Sequence, residues 1–180
     1  MTIASSSGHL ETTKAVLRAK ARVDQREKSG ATALFHAAQQ GHVEVVKALI
    51  SARADINAAT YGGLTPLITA TMKGHPRCVE LLLRSRAKPN ATTKLRGRTA
   101  LHVLSGGRQV SLVRALVSAR AKINIRDTEG NTPLYAAVEK GSCAEVVREM
   151  LELKASPNIP SKCSQTALMA ATWKGRVTHA

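Results

Sequence analysis

A threonine recurs at an almost constant interval along this chain of 180 residues, and no other feature constrains its fold so strongly. The intervals are 33, 34, 33 and 34 residues, and each threonine is followed by Ala or Pro and then by Leu. The five copies begin at Thr32, Thr65, Thr99, Thr132 and Thr166. A fixed period of about 20 to 50 residues is typical of chains in which one small structural unit recurs. The sequence therefore predicts a row of similar units.

The order of residues within each copy predicts two short helices. The Thr hydroxyl can accept a hydrogen bond from the free N–H groups of a first helical turn, and Pro66 and Pro133 then stand where a missing N–H costs nothing. Gly41 ends the first helix, and apolar residues at helical spacing predict a second helix over about 43–51. The recurring positions are Gly30, Gly63, Gly97, Gly130 and Ser164 before the Thr; Gly41, Gly74, Gly141 and Gly175 after it; and Asp24, Asn57, Asn90, Asn124 and Asn158 at the end of each unit.

One such helix pair cannot bury its apolar face alone, so neighbouring units are expected to stack into a solenoid. The phrase Thr132-Pro-Leu and its copies, with the period of about 33, resemble the ankyrin-repeat family. This resemblance implies an all-α fold of stacked helix-turn-helix units joined by short β-hairpin loops. The chain departs from the family phrase at its His, which survives only as His102, and at the helix-breaking Gly of one unit, where Gly106-Gly107-Arg108 stands. The other copies have Phe35, Ile68, Tyr135 and Met169 at the His position.

The repeat boundaries define a single domain over residues 1–180. We expect repeats at 30–62, 63–96, 97–129 and 130–163, with incomplete repeats at 1–29 and 164–180. Neither end shows the polar capping unit that solenoids usually need. The sequence therefore predicts a fragment of a longer array, and a regulatory segment of a larger enzyme or channel is one alternative for its function.

Composition limits the class of protein further. The formal charge is +15, which favours acidic partners. Three cysteines without a C-x-x-C pair indicate neither a disulfide framework nor a four-ligand zinc site. No secretory signal precedes Leu10, and no apolar run approaches the roughly 20 residues that span a bilayer. We expect an intracellular, cytoplasmic protein.

No pattern in the sequence predicts catalysis. His9, His42 and His75 occupy the repeat's own Gly-His position, which favours a role at the start of the second helix over metal binding. Cys78 replaces an apolar core residue, and Cys163 lies near a loop tip. Gly106-Gly107-Arg108 lacks the Gly-Lys-Ser/Thr ending of a phosphate-binding loop. We expect no enzyme activity, no metal and no cofactor.

A cation follows each second helix at the position where the family usually has glycine, because the chain turns there through a left-handed conformation. A non-glycine residue in that conformation costs on the order of 1 kcal/mol. Two interpretations stay open: the cations offset the negative end of each helix dipole, or they form a stripe that binds an extended acidic partner. We call these five residues the basic ladder: Lys20, Arg53, Arg86, Arg120 and Lys154.

The family resemblance implies that a partner protein binds the concave face and the loop tips. The main functional prediction is therefore a protein-interaction or scaffold module whose partner is acidic where it makes contact. The alternative is a basic module that binds nucleic acid or acidic lipid, although scarce aromatic residues disfavour stacking on single strands. The candidate partner-binding residues are Gln39, Gln40, Tyr61, Met72, Lys73, Lys94, Arg126, Glu139, Lys140, Trp173 and Lys174.

Overall fold

The computed structural model describes residues 9–104 and 110–177, with side chains as far as Trp173. All regular secondary structure in these ranges is α-helical, as the sequence predicts. The chain divides into two compact units, residues 1–91 and 92–180, and each is described by itself. The boundaries of the individual repeats and their grouping in a single domain stay predictions.

The first unit contains two helix pairs preceded by a further second helix. Its helices are α1 (Leu10–Arg18), α2 (Ala33–Gln40), α3 (Val43–Ser51), α4 (Pro66–Lys73) and α5 (Pro76–Arg84). The first helices of the two pairs, α2 and α4, pack side by side. The second helices α1, α3 and α5 pack in succession behind them. This stacking of helix pairs is the predicted solenoid arrangement.

The second unit repeats the same arrangement with one shortened helix. Its helices are α6 (Ala100–Val103), α7 (Val110–Ser118), α8 (Pro133–Lys140), α9 (Ala144–Glu152) and α10 (Ala167–Val177). The first helices α6, α8 and α10 pack in that order, and α7 packs against α9. The variant Gly106-Gly107-Arg108 segment that follows α6 lies outside the described residues. One sequence expectation is wrong: Gly175 lies inside α10 instead of ending it, because that helix continues to Val177.

Threonine caps begin the first helices as the sequence predicts. The Oγ1 atom of Thr65 accepts a hydrogen bond from the backbone N–H of Ile68 at 3.2 Å, and Pro66 takes the first helical position. Thr32 and Thr132 cap α2 and α8 in the same way. Glycines in the left-handed conformation end these helices at Gly41, Gly74 and Gly141.

The interior between stacked helices consists mainly of small and aliphatic side chains. Ala37 and Ala70 are fully buried in the first helices of the first unit, which lets those helices approach closely. The Leu that follows each Thr by two is buried in four copies: Leu34, Leu67, Leu101 and Leu134. Cys78 is fully buried at a valine position, as the sequence predicts, and burial raises the pKa of its thiol to about 11.

Loops between repeats are hairpins closed by backbone hydrogen bonds, and the described residues contain no strands. The Thr60 N–H donates to the Leu64 carbonyl across one such hairpin. In three copies the residue that closes the unit joins this loop to the next one. Asn57 Oδ1 accepts the Lys88 N–H at 2.8 Å, and Asp24 accepts the Asp55 N–H at 2.9 Å. This shared role explains why Asp24 occupies the asparagine position.

Candidate functional site

The ends of the first helices in the first unit form an exposed patch. Gln40 ends α2, and Met72 and Lys73 lie at the end of the neighbouring α4; all three side chains are exposed. Gln39 is half-buried, and its carbonyl oxygen lies 3.0 Å from Nε2 of His75. The structure therefore brings four predicted partner-binding residues into one region and leaves three of them accessible.

A cleft of about 330 Å³ opens between α8 and α10 in the second unit. Met169 and Trp173, four residues apart on α10, form one wall and are 55% and 75% exposed. Tyr135 lies in the opposite wall, and its hydroxyl donates a 2.7 Å hydrogen bond to Oε1 of Gln165. Burial raises the pKa of this hydroxyl. The remaining lining residues are Glu139 and Ala170.

Met169 and its neighbour Leu168 are functional candidates that the sequence pattern did not reveal. Leu168 is 70% exposed, whereas the equivalent leucine is buried in the other four copies. Met169 stands at the family His position, which is also buried in those copies. A repeat pattern treats equivalent positions alike, so it gives no signal that these two residues are exposed in the last copy. The side chain of Lys174, a predicted candidate, lies outside the described residues.

The loop tips expose one aromatic and one aliphatic side chain. Tyr61 is 63% exposed, as predicted, and its backbone N–H donates to the Ser29 carbonyl of the preceding loop. Lys94 is exposed, and the adjacent Leu95, which was not predicted, is 86% exposed. Exposed apolar side chains at loop tips are available for contact with a partner.

Arg126, a further predicted tip residue, joins two loops of the second unit. Its guanidinium donates to the Gly130 carbonyl at 3.1 Å and to the Pro160 carbonyl at 2.8 Å. Arg26 makes the equivalent pair of bonds in the first unit, to Gly30 and Ala59. Arg126 is exposed, but two of its donors bond within the fold, so the residue also holds neighbouring loops together.

Lys140, another predicted partner-binding residue, is held against the shortened helix α6. Its Nζ atom donates a 3.2 Å hydrogen bond to the His102 carbonyl. The helix α6 ends at Val103, and carbonyls of a last helical turn bond to partners outside the regular helix. Burial, with a smaller contribution from nearby Arg98, lowers the pKa of Lys140. The lysine thus donates to a carbonyl at the end of α6.

All five residues of the basic ladder adopt the left-handed conformation that the sequence predicted. Their φ angles are 57° for Lys20, 62° for Arg53, 67° for Arg86, 67° for Arg120 and 69° for Lys154. In every case the following alanine N–H donates back to the carbonyl five residues earlier, at 2.9 to 3.4 Å. All five side chains are exposed. Three of these cations belong to the first unit and two to the second.

The described residues contain no group of three or more His, Cys, Asp or Glu side chains that could hold a metal ion. His9, His42 and His75 directly precede α1, α3 and α5, as predicted, but their side chains make no capping hydrogen bond. None of the three cysteines forms a disulfide, and Cys163 is exposed as expected. None of the described helices has the length and apolar character needed to cross a membrane.

A family model for ankyrin repeats matches the chain in three overlapping stretches, residues 1–93, 85–161 and 101–180. Together these stretches cover both units. No curated protein sequence matches the chain significantly.

Proposed function

The chain belongs to the ankyrin-repeat family, and from this premise we propose that it is a non-catalytic module that binds a partner protein through its first-helix ends and loop tips. Ankyrin repeats are generally protein–protein interaction modules and are typically non-catalytic. Members of this family differ in their partners because the scaffold is constant and the exposed side chains vary. The partner-binding residues must therefore be sought among exposed side chains.

The cleft between α8 and α10 is the observation that carries this proposal. Trp173 and Met169 provide apolar area beside the polar groups of Glu139 and Gln165. An exposed Trp next to a recess with a polar rim is typical of an interaction hot spot. Methionine adds an adaptable surface that can fit irregular partners. The cleft is suited to an apolar side chain of the partner.

The charge of the chain supports an acidic partner surface. The net charge of +15 attracts acidic proteins and speeds their association. Lys73 and Lys94 place exposed cations at a first-helix end and at a loop tip. We therefore propose an intracellular partner protein with an apolar anchor surrounded by acidic residues.

Selection from a displayed peptide library on the whole chain tests this function. Dissociation constants of the selected peptides are measured by surface plasmon resonance for the wild type and for Trp173→Ala. A hot-spot Trp contributes about 2 kcal/mol or more, so we expect about 30-fold weaker binding. Leu151→Ala is the matched control, because Leu151 is an exposed apolar residue on the second helix α9.

The first unit has its own test variant, the double change Gln40→Ala and Met72→Ala. Peptides that bind its first-helix ends should lose affinity in this variant and keep it in Leu151→Ala. Unchanged affinity in both first-helix variants, combined with loss in a variant of the basic ladder, would contradict the proposed surface.

A further inference from the structure

Three cations of the basic ladder form a regular row in the first unit. Lys20, Arg53 and Arg86 each follow a second helix directly, in the left-handed conformation, and each side chain is exposed. Glycine would adopt this conformation without strain. All three positions nevertheless carry a positively charged side chain.

The spacing of this row follows from helix packing. The helices α1, α3 and α5 that precede these cations lie side by side, and packed helices are about 8–10 Å apart. The three cations therefore recur about every 8–10 Å along one edge of the unit. Two further exposed cations, Arg22 and Lys88, lie two residues after Lys20 and Arg86.

The acidic residues of the same edge are directed into the loops. Asp24 Oδ1 accepts the Asp55 N–H at 2.9 Å, and Asp55 Oδ1 accepts the Asn57 N–H at 2.9 Å. These carboxylates satisfy backbone donors of the loops. Both carboxylates are exposed and keep their negative charge. The five exposed cations of this edge nevertheless outnumber them, so its net charge is positive.

An acidic peptide can pair with all three cations when its carboxylates lie on one side of the peptide and are also about 8–10 Å apart. A polyproline II helix has three residues per turn and advances about 3.1 Å per residue, so every third side chain returns to one face after about 9 Å. A β-strand brings every second side chain to one face after about 7 Å, which is shorter than the row requires. Three nucleotides along one strand of duplex DNA advance about 10 Å. They also turn by about three tenths of a full helical turn, so their phosphates do not face one side.

We propose that this edge of the first unit binds an acidic segment in the polyproline II conformation, with Glu or Asp at every third residue. Three carboxylates at positions i, i+3 and i+6 then face Lys20, Arg53 and Arg86. Such a segment is already extended in solution, so little conformational entropy is lost on binding. This surface is separate from the first-helix ends and loop tips of the proposed function, and either proposal can fail alone.

Fluorescence anisotropy with labelled synthetic peptides tests this inference on the full chain. The probe is a peptide of four Glu-Pro-Pro triplets, and the comparison peptide has the same composition with its four Glu residues adjacent. A 12-base-pair DNA duplex is the third probe. All titrations are made at about 50 mM and about 200 mM salt, because contacts between exposed charges weaken with ionic strength.

Two protein variants of equal net charge separate the row from the general positive field. The row variant carries Lys20→Gln, Arg53→Gln and Arg86→Gln. The control variant carries Lys28→Gln, Lys47→Gln and Arg77→Gln, three exposed cations in a loop, in the middle of a second helix and at the start of another. Circular dichroism verifies that both variants are folded.

We expect the row variant to bind the triplet peptide about 10-fold more weakly than the wild type, since each exposed ion pair changes affinity by a factor of about 1.5 to 5. The control variant should lose less than about threefold, and the peptide with adjacent Glu residues should bind several-fold more weakly than the triplet peptide. Equal losses in the two variants, or equal affinity for the two peptides, would overturn the proposal. Tighter, row-dependent binding of the duplex would also overturn it, in favour of nucleic acid.

Discussion

The guanidinium of Arg114 holds the carboxylate of Glu149 through two hydrogen bonds, from Nε to Oε1 at 2.6 Å and from Nη2 to Oε2 at 2.8 Å. The two residues lie on α7 and α9, so the pair joins the second helices of neighbouring repeats. The hydrogen bond from Arg114 lowers the pKa of Glu149, although burial opposes the shift. Two parallel hydrogen bonds make this contact stronger and more specific in orientation than an ion pair with a single hydrogen bond.

Replacing Arg114 with Gln should lower the melting temperature at pH 7, because it leaves the Glu149 carboxylate without its charged donors. A carboxyl group whose folded pKa is depressed stabilises the fold above its ordinary value of 4.5 and loses that contribution as the pH falls through the folded pKa. The difference in melting temperature between wild type and variant should therefore be largest at pH 7 and shrink below pH 4.5.

Thermal unfolding followed by circular dichroism from pH 7 to pH 3 measures this effect. Arg148→Gln is the control, since it removes the same charge from an exposed residue of α9. If the melting temperature of Arg114→Gln is lower by the same amount at every pH, or if the control is lowered equally, the ion pair does not cause the loss of stability.

Ser164 adopts a φ angle of 59°, in the left-handed region that Gly30 occupies at the same place in an earlier repeat. Ser164→Gly should raise the free energy of unfolding by up to about 1 kcal/mol, because glycine adopts this conformation without strain. Gly30→Ala should lower it by about 2 kcal/mol or more, since the new Cβ would also lie 2.9 Å from the Tyr61 nitrogen. Urea unfolding of both variants measures the two effects. A stabilised Gly30→Ala variant would contradict this account of the loop.

The basic ladder allows strain and charge to be measured apart. Arg53→Gln removes the charge and keeps a side chain in the left-handed conformation, whereas Arg53→Gly removes both. We expect the glycine variant to be about 1 kcal/mol more stable than the glutamine variant. The glutamine variant should be less stable than the wild type by about 0.3–1 kcal/mol, the value of a cation near a helix C-terminus. Equal urea midpoints for the two variants would mean that the turn at Arg53 is unstrained.

Local rules account for the part of the fold that the sequence predicted. Thr65 caps a helix through a bond to a residue three positions away, and Gly41 ends one through its own φ angle. The left-handed conformation of Arg53 was predictable for the same reason, since it depends on where the second helix ends. Each of these features depends on residues only a few positions apart and recurs because the sequence repeats.

Contacts between repeats account for what the sequence did not predict. Arg126 and Lys140 were predicted to be partner-binding residues. Arg126 also bonds to a carbonyl 34 residues away, and Lys140 bonds to one 38 residues away. Met169 was not predicted as a partner-binding residue, yet it lines an exposed cleft. A single sequence reports the type of residue at each repeat position and carries no signal for these individual pairings.

His102 offers the last test, because its ring is fully buried and bonded on both nitrogens. Nε2 lies 3.0 Å from the Asn131 carbonyl, which can only accept, so Nε2 carries the proton. Nδ1 accepts the Thr99 N–H at 3.2 Å and lies 2.9 Å from the Thr99 hydroxyl. A second proton on the ring would displace these donors, and burial lowers the pKa of His102 below 6.5.

His102→Gln should cost about 2–4 kcal/mol at pH 7, since it leaves buried donors of Thr99 or the Asn131 carbonyl without a partner. The folded pKa is depressed, so the unfolded chain binds the extra proton first and the wild type loses stability as the pH falls below 6.5. The variant has no ring to titrate at this position. The difference in urea unfolding free energy between the two proteins should therefore narrow from pH 7 to pH 5, and a difference that widens would mean that the histidine is charged in the folded state.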